Sequence, residues 1–386
     1  MSRAEHTGGL VVIAGGGTAG HVLPAIAVAR SLLGRGHDRD DILFVGSRRG
    51  LEARLVPEAG FPILLLPGRG LVRRLSPANV AAAGGLMVAV VRAMWLMARR
   101  RPSVVLAVGG YASVSSAVAA VVLRVPLVLA ESNGVAGAAN RLVGRWARAA
   151  AVAFPGTGLP REVLTGNPVR PEILAADRSP AGRERARASL GLPGDRAVLA
   201  VTGGSLGARR INEATLGLAS QWAERGDLAI HHVVGSRDWA SVSARLPEPA
   251  PGGLYYQAVE YEDRMADVLV AADLVLARAG GTTLAELTAL GVPSVLVPLP
   301  IAPNDHQTVG ARRLVEAGAA RLIPDAELTP ERLAATVGDL LADRSKLAVM
   351  AEAAASLGRP DAAERVAELV EEQAGSAHRR RRGALL

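Results

Sequence analysis

Apolar runs recur along the chain, and nearly every one leads into a longer stretch with helical spacing. In the first half the pattern predicts strands at 10–14, 42–45, 63–66, 104–108, 126–130 and 150–153. Helices are predicted between them near 22–34, 50–57, 78–99, 112–123 and 136–147. Runs such as Val104-Val105-Leu106-Ala107-Val108 carry no polar alternation, as expected of strands covered on both faces. Repeated strand–helix alternation predicts an α/β fold built on parallel sheets. The stretch Gly166-Asn167-Pro168-Val169-Arg170-Pro171 breaks the pattern and reads as a rigid linker. Strands then resume at 197–201, 229–234, 254–258, 273–276, 294–297 and 319–322, followed by helical sequence over 329–374. The predicted organisation is two Rossmann-like domains, 1–166 and 167–360, and a C-terminal helix with a basic tail over 361–386. His378 and Arg379 to Arg382 in that tail are expected to be disordered.

Charge narrows the partners. The 386 residues carry a formal charge of +8, and Lys346 is the only lysine. Such an excess favours anionic partners, and arginine favours bidentate contacts with phosphate. Three Phe, four Tyr and four Trp are poor material for stacking bases, which argues against nucleic acid. The absence of cysteine excludes disulfides, cysteine-ligated zinc and thiol catalysis. Met1 to Gly9 lacks the apolar core of a secretory signal. The apolar stretch from Val80 to Ala98 is interrupted by Arg92 and weakened by Gly84-Gly85, so it reads as a peripheral helix. Leu71, Val72, Leu86, Met87, Val90, Met94, Trp95 and Leu96 lie there among Arg69, Arg73, Arg74, Arg92 and Arg99 to Arg101. A basic-flanked apolar face of this kind suits an anionic membrane surface, and packing on the sheet accounts for the helix's other face.

Two glycine turns head the two halves. Gly15-Gly16-Gly17-Thr18-Ala19-Gly20-His21 follows an apolar run, and Gly203-Gly204-Ser205-Leu206-Gly207 follows another. Strand, glycine turn and helix together aim backbone N–H groups and a helix N-terminus at an anion. The first turn satisfies G-x-G-x-x-G, so an NADP-dependent oxidoreductase is one reading. The second strand, however, lacks the ribose-binding acid and runs instead into Arg48-Arg49. The second turn matches the G-x-S-x-G elbow of hydrolases, with Asp273 and His306 in triad order. That reading leaves the first α/β half unexplained. Asp38-Arg39-Asp40 resembles a metal-holding D-x-D but sits among loop residues. A third glycine turn, Arg278-Ala279-Gly280-Gly281, opens a helix at the carboxyl end of a strand, where open α/β sheets bind ligands. Glu286, one turn in, has the chemistry to accept hydrogen bonds from ribose hydroxyls, or serves as a dipole-favoured helix-start acid. Asn304-Asp305-His306-Gln307 and Glu131-Ser132-Asn133-Gly134 also end strands.

In order and spacing these motifs resemble the MurG family of glycosyltransferases, family 28. The resemblance rests on 16–21, Gly109-Gly110-Tyr111, Glu131 to Gly134, Gly166 to Arg170, Gly203 to Ala208, Arg278 to Glu286, and Asp305-His306-Gln307. It implies a GT-B fold, two Rossmann-like domains facing across a cleft. It implies inverting transfer of GlcNAc from UDP-GlcNAc to a polyprenyl-pyrophosphoryl lipid acceptor, the conversion of lipid I to lipid II. The enzyme would work at the cytoplasmic face of the cell membrane, without a tightly held metal. Ser205 and its loop would hold the donor diphosphate. Gly281, Thr282, Thr283, Leu284, Ala285 and Glu286 would form the donor pocket, with Glu286 on the ribose and Gln307 on the sugar. Asn133 and Arg170 would lie on the donor side, and Thr18, Ala19 and Gly20 would face the substrate diphosphates. His21 and Glu131 compete for the role of general base. Ala130, Ser132, Leu206, Gly281 and Gly310 depart from the family's usual residues, which leaves room for a divergent paralogue with another acceptor.

Overall fold

The structure, a computed structural model, describes residues 9–67, 77–204, 207–248 and 250–383. The chain forms two compact units, residues 1–170 with 360–386, and residues 171–359.

The first unit holds β1 (Val11–Ala14), β2 (Ile42–Ser47), β3 (Ile63–Leu66), β4 (Val104–Ala107), β5 (Leu127–Glu131), β6 (Ala149–Val152) and β7 (Glu162–Leu164). They form one sheet in the order β3-β2-β1-β4-β5-β6-β7, with parallel pairing throughout. The second unit holds β8 (Ala197–Thr202), β9 (Leu228–Val233), β10 (Tyr255–Val259), β11 (Leu274–Ala277), β12 (Ser294–Leu296) and β13 (Ala320–Leu322). Their order, β10-β9-β8-β11-β12-β13, repeats that of the first sheet. Strand order reverses between β1 and β4 and again between β8 and β11. Those switch points are where open α/β sheets hold ligands, beyond the carboxyl ends of the strands. The strand β7 has no counterpart in the predicted pattern. It is three residues long and half exposed, so it carries no apolar run.

Alternation within the buried strands explains their continuous apolar sequence. Val12, Ala14, Val105 and Ala107 face one core, while Val11, Ile13, Val104 and Leu106 face the other. The second core is completed by the C-terminal helix Ala362–Gly383, which packs on the helix Ala19–Gly34 and buries Val366, Ala367 and Val370. Arg35 reinforces this contact through Glu368 and Glu371, and His37 through Glu371. The terminal segment is therefore part of the first unit. The helix extends to Gly383 and so takes in His378 to Arg382.

In the second unit, β9 buries two adjacent histidines. His232 Nδ1 lies 2.6 Å from the Tyr256 hydroxyl, and its Nε2 lies 3.0 Å from Asn212 Oδ1. Burial, followed by the neighbouring His231, pushes the His232 pKa down to about 3. At neutral pH neither the folded nor the unfolded chain binds this proton. Below the ordinary value near 6.5 the unfolded chain binds it and the folded chain does not. Stability contributed at this site therefore falls as pH drops through that window, by up to about 1.4 kcal/mol per pH unit. Urea midpoints measured from pH 7 to pH 4 should fall more steeply for wild type than for His232→Gln; parallel curves would contradict this account.

Candidate functional site

The first glycine turn is shaped by close backbone approach. Gly16 and Gly110 both have positive φ, and a Cβ on Gly110 would overlap the carbonyl of Gly16. A Cβ on Gly16 would in turn overlap the carboxylate of Glu52. That carboxylate, essentially fully buried at the start of the helix Glu52–Glu58, accepts from Gly17 N at 2.7 Å and Ser47 N at 2.8 Å. Gly15 N donates to Val45 O, and Gly16 N to Gly109 O. The amides of Gly15, Gly16 and Gly17 are thus committed within the protein, so the expectation that they cradle a phosphate is corrected. Beyond these amides the turn leads into the helix Ala19–Gly34, whose N-cap residue Thr18 makes no side-chain cap bond of its own. A buried carboxylate bonded to the turn's own amide also opposes a dinucleotide pyrophosphate there, which removes the main support for the NADP reading.

His21 follows on that helix, with Nδ1 3.3 Å from Thr18 Oγ1 and its ring beside Gly109. His21 and Glu131 line one pocket of the first unit, together with Ser132 and Asn167. Glu131, 5% exposed at the end of β5, is held by four hydrogen bonds. Its Oε1 accepts from Asn133 N at 3.1 Å and Asn133 Nδ2 at 2.8 Å. Its Oε2 accepts from Gly137 N at 2.9 Å and Asn140 Nδ2 at 2.9 Å. Ser132 donates to Asn167 Oδ1. Asn133 is therefore fastened to Glu131, and Arg170 is the last residue before the chain enters the second unit.

In the second unit the turn after β8 contains Gly204 and Gly207 at positive φ and leads into the helix Arg209–Gln221, again without a side-chain cap. Ser205 and Leu206 lie outside the described residues. The helix Gly281–Leu290 after β11 begins at Gly280, also without a side-chain cap, and carries Thr282, Thr283, Leu284 and Ala285 ahead of the buried Glu286. By contrast, Ser179, Thr329 and Asp343 cap the helices Pro180–Leu190, Pro330–Leu341 and Arg344–Leu357 with their side chains. The helices after β8 and β11 both start beyond the carboxyl ends of their strands from N-cap residues, Ala208 and Gly280, that have no capping side chain, and helix starts so placed favour anionic and polar ligand groups. Gln307 is the second residue of the next helix, His306–Glu316, and its Oε1 accepts from Leu299 N at 2.9 Å. Asn304 and Asp305 just before it both adopt left-handed backbone. Arg278 Nη1 braces this edge by donating to Val297 O, Pro298 O and Asp325 Oδ1.

The hydrolase triad does not assemble. Asp273 precedes β11 at the opposite edge of the sheet, ion-paired with Arg183 and Arg187. Asp38 to Asp40 likewise precede β2, and Arg39 there stacks on Phe61 and donates to Gly60 O. Sequence reasoning missed Glu52, Asn140 and Arg278 as organisers of these turns. Only the acid at a helix start hinted at the first.

Residues 11–152 match the N-terminal domain of glycosyltransferase family 28, and residues 198–366 match its C-terminal domain. A protein of Desulforudis audaxviator is 40% identical over 96% of this chain and 100% of its own. One of Clavibacter sepedonicus is 43% identical over 95% of this chain and 96% of its own. Both are named UDP-N-acetylglucosamine–N-acetylmuramyl-(pentapeptide) pyrophosphoryl-undecaprenol N-acetylglucosamine transferase. The crystal structure of Acinetobacter baumannii MurG superposes with a TM-score of 0.74 at 30% identity, covering 94% of this chain and 99% of that one. With both domains matched and relatives aligned nearly end to end, the chain belongs to glycosyltransferase family 28, the family of the MurG transferases.

Proposed function

We propose that the protein transfers GlcNAc from UDP-GlcNAc to undecaprenyl-pyrophosphoryl-MurNAc-pentapeptide, converting lipid I to lipid II in peptidoglycan synthesis. The observation that carries this reading is end-to-end similarity to relatives named for that reaction, over a chain that keeps the helix starts the chemistry needs. The acceptor hydroxyl loses its proton as its oxygen bonds to the anomeric carbon, and the bond from that carbon to the diphosphate oxygen breaks with inversion. Charge grows on the departing UDP. Main-chain amides at the turn after β8 and the dipole of the helix Arg209–Gln221 meet that charge. Glu286 binds the ribose hydroxyls, and Gln307 the sugar. The fixed position of Gln307 Oε1 on Leu299 N orients its amide for this role.

Of the two candidate bases, we assign the role to His21. Four donors already occupy the carboxylate of Glu131, which suits it to shaping the loop 131–140. His21→Ala should lower kcat by about 10²-fold or more with little change in KM, measured as labelled sugar transferred to a lipid I analogue. Glu131→Gln, which sets an NH2 group against two of those donors, should lower the unfolding temperature. A normally folded Glu131→Gln that loses kcat, beside an unaffected His21→Ala, would reverse the assignment.

The acceptor is lipid-linked, and we place the enzyme peripherally on the cytoplasmic leaflet. No helix among the described residues is long and apolar enough to cross a membrane. The helix Pro77–Arg100 buries Ala89, Ala93, Leu96 and Met97 and turns Met87, Val88, Val91 and Trp95 outward, with Trp95 62% exposed. Leu96 thus belongs to the core, and Leu71, Val72, Arg69, Arg73 and Arg74 lie outside the described residues. This helix packs on Tyr111–Val122, which packs on Ala138–Val143. Those neighbours expose Val122, Leu142 and, just beyond, Trp146 under Arg145. Binding to vesicles containing anionic lipid should weaken with salt and by about 1 kcal/mol for each of Arg92→Ala and Arg99→Ala. Trp95→Ser should weaken it at every salt concentration; binding insensitive to both salt and these substitutions would refute the assignment.

A further inference from the structure

Behind the second glycine turn, Tyr256, His232, Asn212, Asp238 and Arg237 form one connected polar chain. Asn212 Nδ2 donates to Val234 O at 3.2 Å and to Asp238 Oδ2 at 3.1 Å. Its Oδ1 therefore faces His232 as an acceptor, and His232 Nε2 is the nitrogen that carries the proton. His232 Nδ1 then accepts from the Tyr256 hydroxyl. The donors of Tyr256, His232 and Asn212 all point one way, towards the carboxylate of Asp238, which is 3% exposed and which Arg237 meets from the other side.

That carboxylate lies against the turn. Gly207 has a φ of +82°, and a Cβ there would overlap Val234 O and come within 3.2 Å of Asp238 Oδ2. Arg237 Nε lies 3.3 Å from Asp238 Oδ1, and its Nη2 donates to Gly207 O at 3.1 Å. Arg209, the first residue of the following helix, lies 4.0 Å from the same carboxylate oxygen. Both arginines are more than half exposed, while the acid that gathers them is buried. A lone buried carboxylate beneath a phosphate-binding turn would repel the ligand. Bridged by a cation to the turn's carbonyl, it instead fixes the direction of the peptide groups and keeps two positive charges at the rim.

We propose that Asp238 is a positioning residue for the donor diphosphate, acting through Arg237 on the carbonyl of Gly207 and holding Arg237 and Arg209 beside the turn. Tyr256, His232 and Asn212 fix the orientation of that carboxylate. The proposal rests on the reading of the β8 turn as the diphosphate site.

Titration of UDP and of uridine into the full-length protein separates the possibilities, because uridine lacks the phosphates. Asp238→Asn, nearly isosteric, should weaken UDP about tenfold and leave uridine unchanged. It should raise the KM for UDP-GlcNAc by a similar factor with kcat within about threefold. Arg237→Ala should behave alike, Arg237→Lys should recover part of the loss, and Tyr256→Phe should shift UDP in the same direction by less. Asp238→Asn binding UDP as wild type does, or losing UDP and uridine equally, would overturn the proposal. Wild-type protein that binds UDP no more tightly than uridine would defeat the diphosphate reading itself.

Discussion

At the switch point of each sheet, one stretch of backbone lies too close to another for a side chain to fit between them. Gly110 meets the carbonyl of Gly16 in the first unit, and Gly207 meets the carbonyl of Val234 in the second. Those approaches let β1 and β8 turn sharply into helices whose first amides lie beyond the strand ends. A side chain at any of these glycines would push the turn away from its neighbour and carry the helix start with it. The shared strand order of the two sheets puts each turn beside the strand where the order reverses.

Equivalent topology does not make equivalent sites. A buried carboxylate lies under each turn, but the two are neutralised differently. Glu52 is met by amides, including that of Gly17, so the first turn commits its own donors and gains an acid. Asp238 is met by Asn212 and by Arg237, which also donates to the second turn. The second turn is therefore the more favourable place for a highly charged nucleotide diphosphate. The first turn leads instead into the helix Ala19–Gly34, whose His21 lines a pocket with Glu131. This asymmetry matches a transferase that binds two different phosphorylated substrates.

Much of this was legible in the sequence because it is local. Buried parallel strands are short apolar runs, glycine turns are visible as written, and all the predicted strands were found. The strand β7 was not legible, since Glu162 to Leu164 is only three residues long and half exposed. Long-range partners were equally silent. Nothing around Glu52 announces that it will meet Gly17, and nothing around Asp238 announces Asn212. Helix Pro77–Arg100 was recognisable as amphipathic, but its period alone did not separate buried Leu96 from exposed Val91, nor add Leu142 and Trp146. Glu131 illustrates the limit for chemistry. An acid at a strand end reads as a base until its four donors are seen.

The central claim is that the β8 and β11 helix starts, and not the β1 turn, receive the uridine nucleotide. Hydrogen exchange of backbone amides, followed with and without saturating UDP, tests it directly. UDP should slow exchange over 203–212 and 280–286 and leave 15–20 at its unliganded rate. Protection confined to 15–20 would contradict the account.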